Sequence, residues 1–344
     1  MNSLSKLLIE INDSIPVDQQ LHFCQTVLSF RNTLNTSKQL LLVPRVQSEI
    51  TKVSSFGKSC FGVSGELIWK FTLPKEIPKD LVAGDMMMPS FIISNSMASH
   101  GEIKSIIPFD AALLIVLCGK SKLLLMDSRR MAVMAQNSSI FKDIEAIYLN
   151  KKKKLVYLVS DNILFVYSIQ HNVIVKSLGF ENNAISYILS CPSGNWIIVS
   201  LHNYELLVAN IEEVQVHIIR RFSIGTYFVK MLYNRDVVVA LDKQRTLHLL
   251  FGITDTIGIF HKLFVAEGVQ DFCIFEEMIV TITTNNSIII YDFNGRVVME
   301  KLFNEKVNPC ITSVTQYLIL PVGTELMALE RQHSIPSFDT QITN

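Results

Sequence analysis

Residues 155–169 read LVYLVSDNILFVYSI. Two apolar arms, each too short for a helix, flank the polar turn Ser160-Asp161-Asn162. That is the signature of a β-hairpin. The arms are nearly continuous in hydrophobicity rather than alternating, which requires cover on both faces of each strand. A lone hairpin cannot supply that cover, but neighbouring sheets stacked face to face can.

The same unit recurs at residues 113–128 (LLIVLCGKSKLLLMDS), 196–211 (WIIVSLHNYELLVANI), 237–253 (VVVALDKQRTLHLLFGI), 278–293 (MIVTITTNNSIIIYDF) and 317–332 (YLILPVGTELMALERQ). The starts of the six copies are spaced by 42, 41, 41, 41 and 39 residues. An upstream strand candidate precedes five of them, at 103–107, 144–149, 185–189, 228–232 and 269–275. A more polar, more alternating strand follows four of them, at 173–178, 216–222, 260–265 and 297–303. Four strands in about 41 residues is the period of a propeller blade. A weaker copy lies at 60–73 (CFGVSGELIWKFTL), with 48–56 as its inner and 91–95 as its outer strand and 74–89 as an insert.

These copies predict an all-β fold, a seven-bladed β-propeller with a short N-terminal helical extension. The expected organisation is a helical segment over 1–38, a propeller over 39–332 and a flexible tail over 333–344. The orphan strand 39–44 (QLLLVP) is expected to close the ring as the outer strand of the last blade. The period and strand pattern resemble the WD-repeat family of β-propellers. Tyr291-Asp292 stands where the family's Trp-Asp pair ends a third strand, and Met126-Asp127 is a weaker echo. No Gly-His dipeptide precedes the inner strands. The resemblance implies a WD40-like propeller and, by analogy of fold, a non-catalytic scaffold for protein–protein interaction inside a multiprotein complex.

Composition narrows the function classes. Lys and Arg together number 31, as do Asp and Glu, so the formal charge is zero. General nucleic-acid binding, which needs excess cationic charge to displace counterions, is not expected. The longest apolar run, residues 111–118, is eight residues, against about 20 for a spanning helix. The N-terminal residues lack a signal peptide's apolar core, and the six scattered cysteines form no CxxC pair. An intracellular protein, cytoplasmic or nuclear, with reduced cysteines is therefore expected.

No HExxH, GxSxG, P-loop or GxGxxG pattern occurs, and glycine is scarce at 14 residues. No catalytic residue, cofactor or metal is expected. An enzyme with a site dispersed over one face is the remaining catalytic reading.

Candidate contact residues are of two kinds. The segment from about Val17 to Leu34 has helical spacing, with Val17, Leu21 and Leu28 on one stripe and Phe23, Val27, Phe30 and Leu34 on an adjoining one. Two readings of this apolar face stand: it docks a partner subunit, or it packs on its own propeller. The basic groups are Lys151, Lys152, Lys153 and Lys154 in a predicted turn, and Arg220 and Arg221 at an outer strand. They are candidate anion contacts. Arg220-Arg221 with Phe222 is similar to the Phe-Arg-Arg-Gly segment of phosphoinositide-binding propellers. That similarity implies an alternative role as a peripheral membrane adaptor.

Overall fold

The computed structural model describes residues 39–42, 49–72, 86–87, 91–119, 121–137, 144–180, 183–212, 215–253, 260–275, 277–304, 306–314, 317–322 and 325–330. Every regular element among them is a β-strand. Six four-stranded antiparallel blades succeed one another: blade 1 (residues 50–96), blade 2 (103–137), blade 3 (146–179), blade 4 (185–223), blade 5 (228–266) and blade 6 (269–302). Within each, strands run from the innermost to the outermost in chain order, except that blade 1 skips Met86–Met87.

The sheet after blade 6 is built differently. Thr312–Val314, Tyr317–Val322 and Glu325–Glu330 form three antiparallel strands; Gln39–Leu42 pairs antiparallel with the third, and Met86–Met87 pairs parallel outside it. The expected seven-bladed propeller therefore needs correcting to six blades. Six follow the four-stranded pattern, and the last sheet is a five-stranded composite of three parts of the chain. The edge of the last hairpin is filled from the N-terminal side by Gln39–Leu42, and the insert of blade 1 adds two residues more. The expected helical extension, with Val17, Leu21, Phe23, Val27, Leu28, Phe30 and Leu34, lies outside the described residues, as does the 333–344 tail.

The continuous apolar arms behave as the sequence requires. In Leu155–Ser160, Tyr157 and Val159 pack with Ile197 and Val199 of blade 4. Their neighbours Val156 and Leu158 pack the other way, with Ile115, Leu117 and Leu123 of blade 2. The same sharing joins blades 1 and 2, 4 and 5, 5 and 6, and blade 6 with the composite sheet. Burial of this kind, at ~25 cal/mol per Å² of apolar surface, is the main stabilising term. Outer strands have cover on one side only and alternate in exposure, as in Ala132–Asn137.

One glycine is fixed by close approach. Gly62, in Ser59–Ser64, lies opposite Trp69 of Leu67–Thr72. A Cβ at Gly62 would fall 2.3 Å from the Trp69 ring, so the indole occupies the space any other side chain would need.

The inner strands are tied around the axis by polar side chains. Five of the six blades carry a bulge near the start of the inner strand: at Ile50/Lys52, Ile103/Ser105, Ile185/Tyr187, Phe228/Lys230 and Val269/Asp271. A bulge re-aims the side chains beside it. The Lys104 ammonium donates to the Ile144 carbonyl at 3.5 Å, and the Tyr148 hydroxyl to that of Ser186 at 3.4 Å. Lys230 donates to Asp271 Oδ1 at 2.6 Å and to the Phe272 carbonyl at 2.7 Å. Asp271 Oδ2 in turn accepts from the Ile311 amide at 3.0 Å. Ser313 donates to the Ile274 carbonyl at 3.4 Å, and Ser55 of blade 1 donates to the Ser313 carbonyl at 2.6 Å. Each bond joins one sheet to the next. Burial disfavours the Lys230 ammonium, but the charge and hydrogen bond of Asp271 outweigh it and hold its pKa above the usual lysine value.

Two of these contacts can be tested by their effect on stability. Gly62→Ala should cost about 1–3 kcal/mol by overpacking against the indole, read as a lower urea midpoint with an unchanged slope. Asp271→Asn should cost about 2–4 kcal/mol, because it leaves a largely buried ammonium without its counter-charge. Equal urea midpoints for this variant and the parent would show that the axial pair carries no net stability.

Candidate functional site

Antiparallel blades of four strands return the chain to the same side for every inner strand. The turns between first and second strands, and between third and fourth, therefore share one face, the upper face. The turns between second and third strands, and the links between blades, make the lower face. Contacts across neighbouring blades agree: Arg235 and Glu277, both in first turns, form an ion pair. On the other face, the Val269 amide entering blade 6 donates to the Arg245 carbonyl at 2.9 Å.

Lys151, Lys152, Lys153 and Lys154 form the first turn of blade 3, on the upper face. The turn is built on Asn150, the buried last residue of Ala146–Asn150. The Asn150 amide donates to the Tyr157 hydroxyl at 3.0 Å and to the Gly194 carbonyl at 2.9 Å, and its Oδ1 accepts from the Lys153 amide at 3.1 Å. Lys154 takes φ 54°, which lets the turn close. Gly194, at φ +76°, keeps blade 4 clear of it: a Cβ there would lie 2.9 Å from Asn150 Oδ1 and 3.1 Å from Lys152 Cβ. The Lys151 ammonium lies 4.8 Å from the centroid of the Phe56 ring of blade 1, an attractive cation–π distance. Lys151, Lys152 and Lys154 are exposed.

Arg220 and Arg221 sit elsewhere, in the outer strand Gln215–Ser223 of blade 4. Arg220 donates to the Gly252 carbonyl at 3.0 Å and lies 4.8 Å from the Phe222 ring centroid. Arg221 faces Glu205 at 3.7 Å. The two basic groups do not converge on one site: the lysines occupy a face turn, the arginines the rim.

The axial channel holds a cleft of about 430 Å³ lined by Lys104, Ser105, Glu145, Tyr148, Tyr187, Ser190 and apolar inner-strand residues. Tyr148 and Tyr187 meet edge to face at 4.7 Å. Burial raises the pKa of both hydroxyls, so neither is poised as a base near neutral pH. The cleft lining includes no histidine or cysteine. A smaller cleft of about 230 Å³ opens on the upper face between blades 5 and 6, beside Arg235, Glu277 and Asp292. Among the described residues no group of three or more His, Cys, Asp or Glu could hold a metal.

Sequence reading missed one buried pair and one aromatic cluster. His248 Nε2 lies 2.9 Å from Asp242 Oδ2, and Asp242 Oδ1 accepts from the Thr246 amide at 2.9 Å. The His248 Nδ1 has no hydrogen-bond partner. A neutral ring donating from Nε2 satisfies this geometry, whereas an imidazolium would bury a second N–H without an acceptor. Burial accordingly lowers the pKa of His248 from its ordinary 6.5, against the opposing pull of Asp242. On the lower face His202 stacks on Tyr227 at 4.2 Å, Tyr204 stacks on it at 6.5 Å, and Lys243 lies 5.0 Å over the same ring. Only the positions of His202 and Tyr204 in one hairpin turn gave a hint of this; Tyr227 comes from the link to the next blade.

A lowered folded pKa means that His248 contributes stability above its unfolded value and loses it as pH falls through the folded one. Stability should therefore fall on acidification below about pH 6.5. His248→Gln should flatten that part of a urea-midpoint profile against pH; an unchanged profile would remove His248 from the acid response.

No protein-family model matches the chain, and no curated protein matches it. Solved structures do. The chain superposes on Raptor of Chaetomium thermophilum with a TM-score of 0.66 at 9% identity, covering 89% of this chain and 30% of Raptor. It therefore spans less than a third of that protein's length. It also matches the computationally designed protein Ika8, with a TM-score of 0.57 at 11% identity over 86% of this chain and 100% of the design. Likeness at such identity speaks for the fold alone, and with the blades described above it makes this chain a β-propeller.

Proposed function

We propose that this chain is a non-catalytic interaction scaffold, a subunit of an intracellular multiprotein complex. The reading is carried by one observation on the rim. The outer strands of blades 2 to 6 expose large apolar side chains: Met134 (59%), Val173 (47%), Ile218 (42%) and Ile219 (52%) on blades 2 to 4, Phe264 (54%) on blade 5, and Val297 (58%) and Leu302 (68%) on blade 6. Outer strands also offer unpaired backbone edges. Exposed apolar side chains beside an open edge suit permanent cover by another subunit.

The phosphoinositide reading rests on Arg220 and Arg221, whose contacts in the structure are made to the protein itself. A catalytic reading would require a nucleophile and a base within hydrogen-bond reach of each other; in the axial cleft the Ser190 hydroxyl donates instead to the Cys191 carbonyl at 3.4 Å.

Tagged chain purified from cells under gentle conditions should carry stoichiometric protein partners. The double variant Ile219→Asp with Phe264→Asp should lose them while keeping its melting temperature within about 2 °C, as surface changes away from the core do. Recovery of the parent chain alone and monodisperse would sink the scaffold reading.

A further inference from the structure

The chain as a whole is neutral, but among the described residues the charges of the upper face are unevenly placed. Blades 1 to 3 bring Lys58, Arg129, Arg130 and the four lysines 151–154 to the turns of that face. The carboxylates among the described residues there are Asp110 and Asp127. Both are engaged by backbone: Asp110 Oδ1 accepts from the Ala112 and Leu113 amides at 2.7 and 2.8 Å, and Asp127 Oδ1 from the Arg129 and Arg130 amides at 2.7 and 3.3 Å. Blades 4 to 6 reverse the balance on the same face. Their described turns hold Asp236, Glu277 and Asp292 against Arg235 and Arg296, and Arg235 is paired with Glu277. Among the described residues, one half of this face is thus cationic and the other mildly anionic.

The cationic half is also preformed. The lysine turn is held from beneath by Asn150, clasped to blade 4 through the Gly194 carbonyl and pinned towards blade 1 by Lys151 over Phe56. The turn backbone that presents these charges has already met its ordering cost, so a complementary ligand meets a ready potential.

We propose that the upper face of blades 1 to 3 is the docking site for an acidic polypeptide segment of a partner protein. This rests on the scaffold reading and names the chemistry of one partner. The distribution of charge selects the occupant. A flat anionic membrane laid on this face would bring Asp236, Glu277 and Asp292 to its surface together with the lysines, and a nucleic-acid duplex long enough to leave the patch would meet them too. A short acidic segment can lie on the cationic half alone.

The test is a titration of the full chain against a fluorescein-labelled peptide of about ten alternating Glu and Asp residues. Saturable binding is expected at about 50 mM salt, weakening about tenfold by about 300 mM as the Debye length shortens. Lys152→Glu with Lys154→Glu should weaken it about tenfold, as should Arg129→Glu with Arg130→Glu, while Lys243→Glu on the lower face should change it less than about twofold. Unchanged melting of each variant separates lost charge from lost fold. Absence of saturable binding at low salt, or binding indifferent to both upper-face reversals, overturns the proposal. Tighter capture by phosphatidylserine vesicles or by a short RNA than by the peptide, lost on the same reversals, overturns it in favour of those partners. Cellular co-purification separates this inference from the reading beneath it. If the Lys152→Glu, Lys154→Glu chain retains every partner of the parent, the docking site falls and the scaffold stands. If the parent retains no partner, the scaffold falls and the peptide titration alone decides the site.

Discussion

Everything in this molecule depends on each central strand being covered twice. Tyr157 and Val159 of one strand are buried by the next blade, and Val156 and Leu158 of the same strand by the one before. Each blade buries its apolar faces against its neighbours rather than within itself. The arrangement is cooperative by construction, as in other stacked repeats. It also frees the turns, since what the ring requires of the chain is in the strands.

That division explains what could be read in the sequence. Val, Ile and Leu in unbroken arms at a fixed period leave few alternatives to stacked sheets, so the propeller was legible without the family's Trp-Asp and Gly-His marks. The composite sheet was legible only in part. Leucines 40 to 42 announced a strand, but nothing in MMM signalled that Met86–Met87 would lie parallel beside it. A two-residue strand carries no periodicity.

The site features were hidden for a different reason. Lys104, Lys230 and Asp271 look like interruptions of apolar inner strands. Their role depends on which inner strand stands next in the ring, a distance of about forty residues in sequence. The lysine run was visible as a run. Its company with Arg129, Arg130 and Lys58 was not, because grouping them requires knowing that alternate turns share a face. The pairing of His248 with Asp242 spans six residues and still escaped notice, because a turn separates them and neither residue belongs to a motif.

The composite sheet also bears on how the ring is made. Gln39 ends up opposite Leu329 and Leu42 opposite Leu326. A ribosome adding about 5–20 residues per second makes the first of these partners roughly 15–60 s before the second. Until then the leucine-rich strand has one edge that nothing downstream can yet occupy. Met86–Met87, on its other edge, emerges after only some 45 residues. The insert of blade 1 thus gives the N-terminal strand an early neighbour from the same nascent chain, and the last-made hairpin need only complete a sheet already begun.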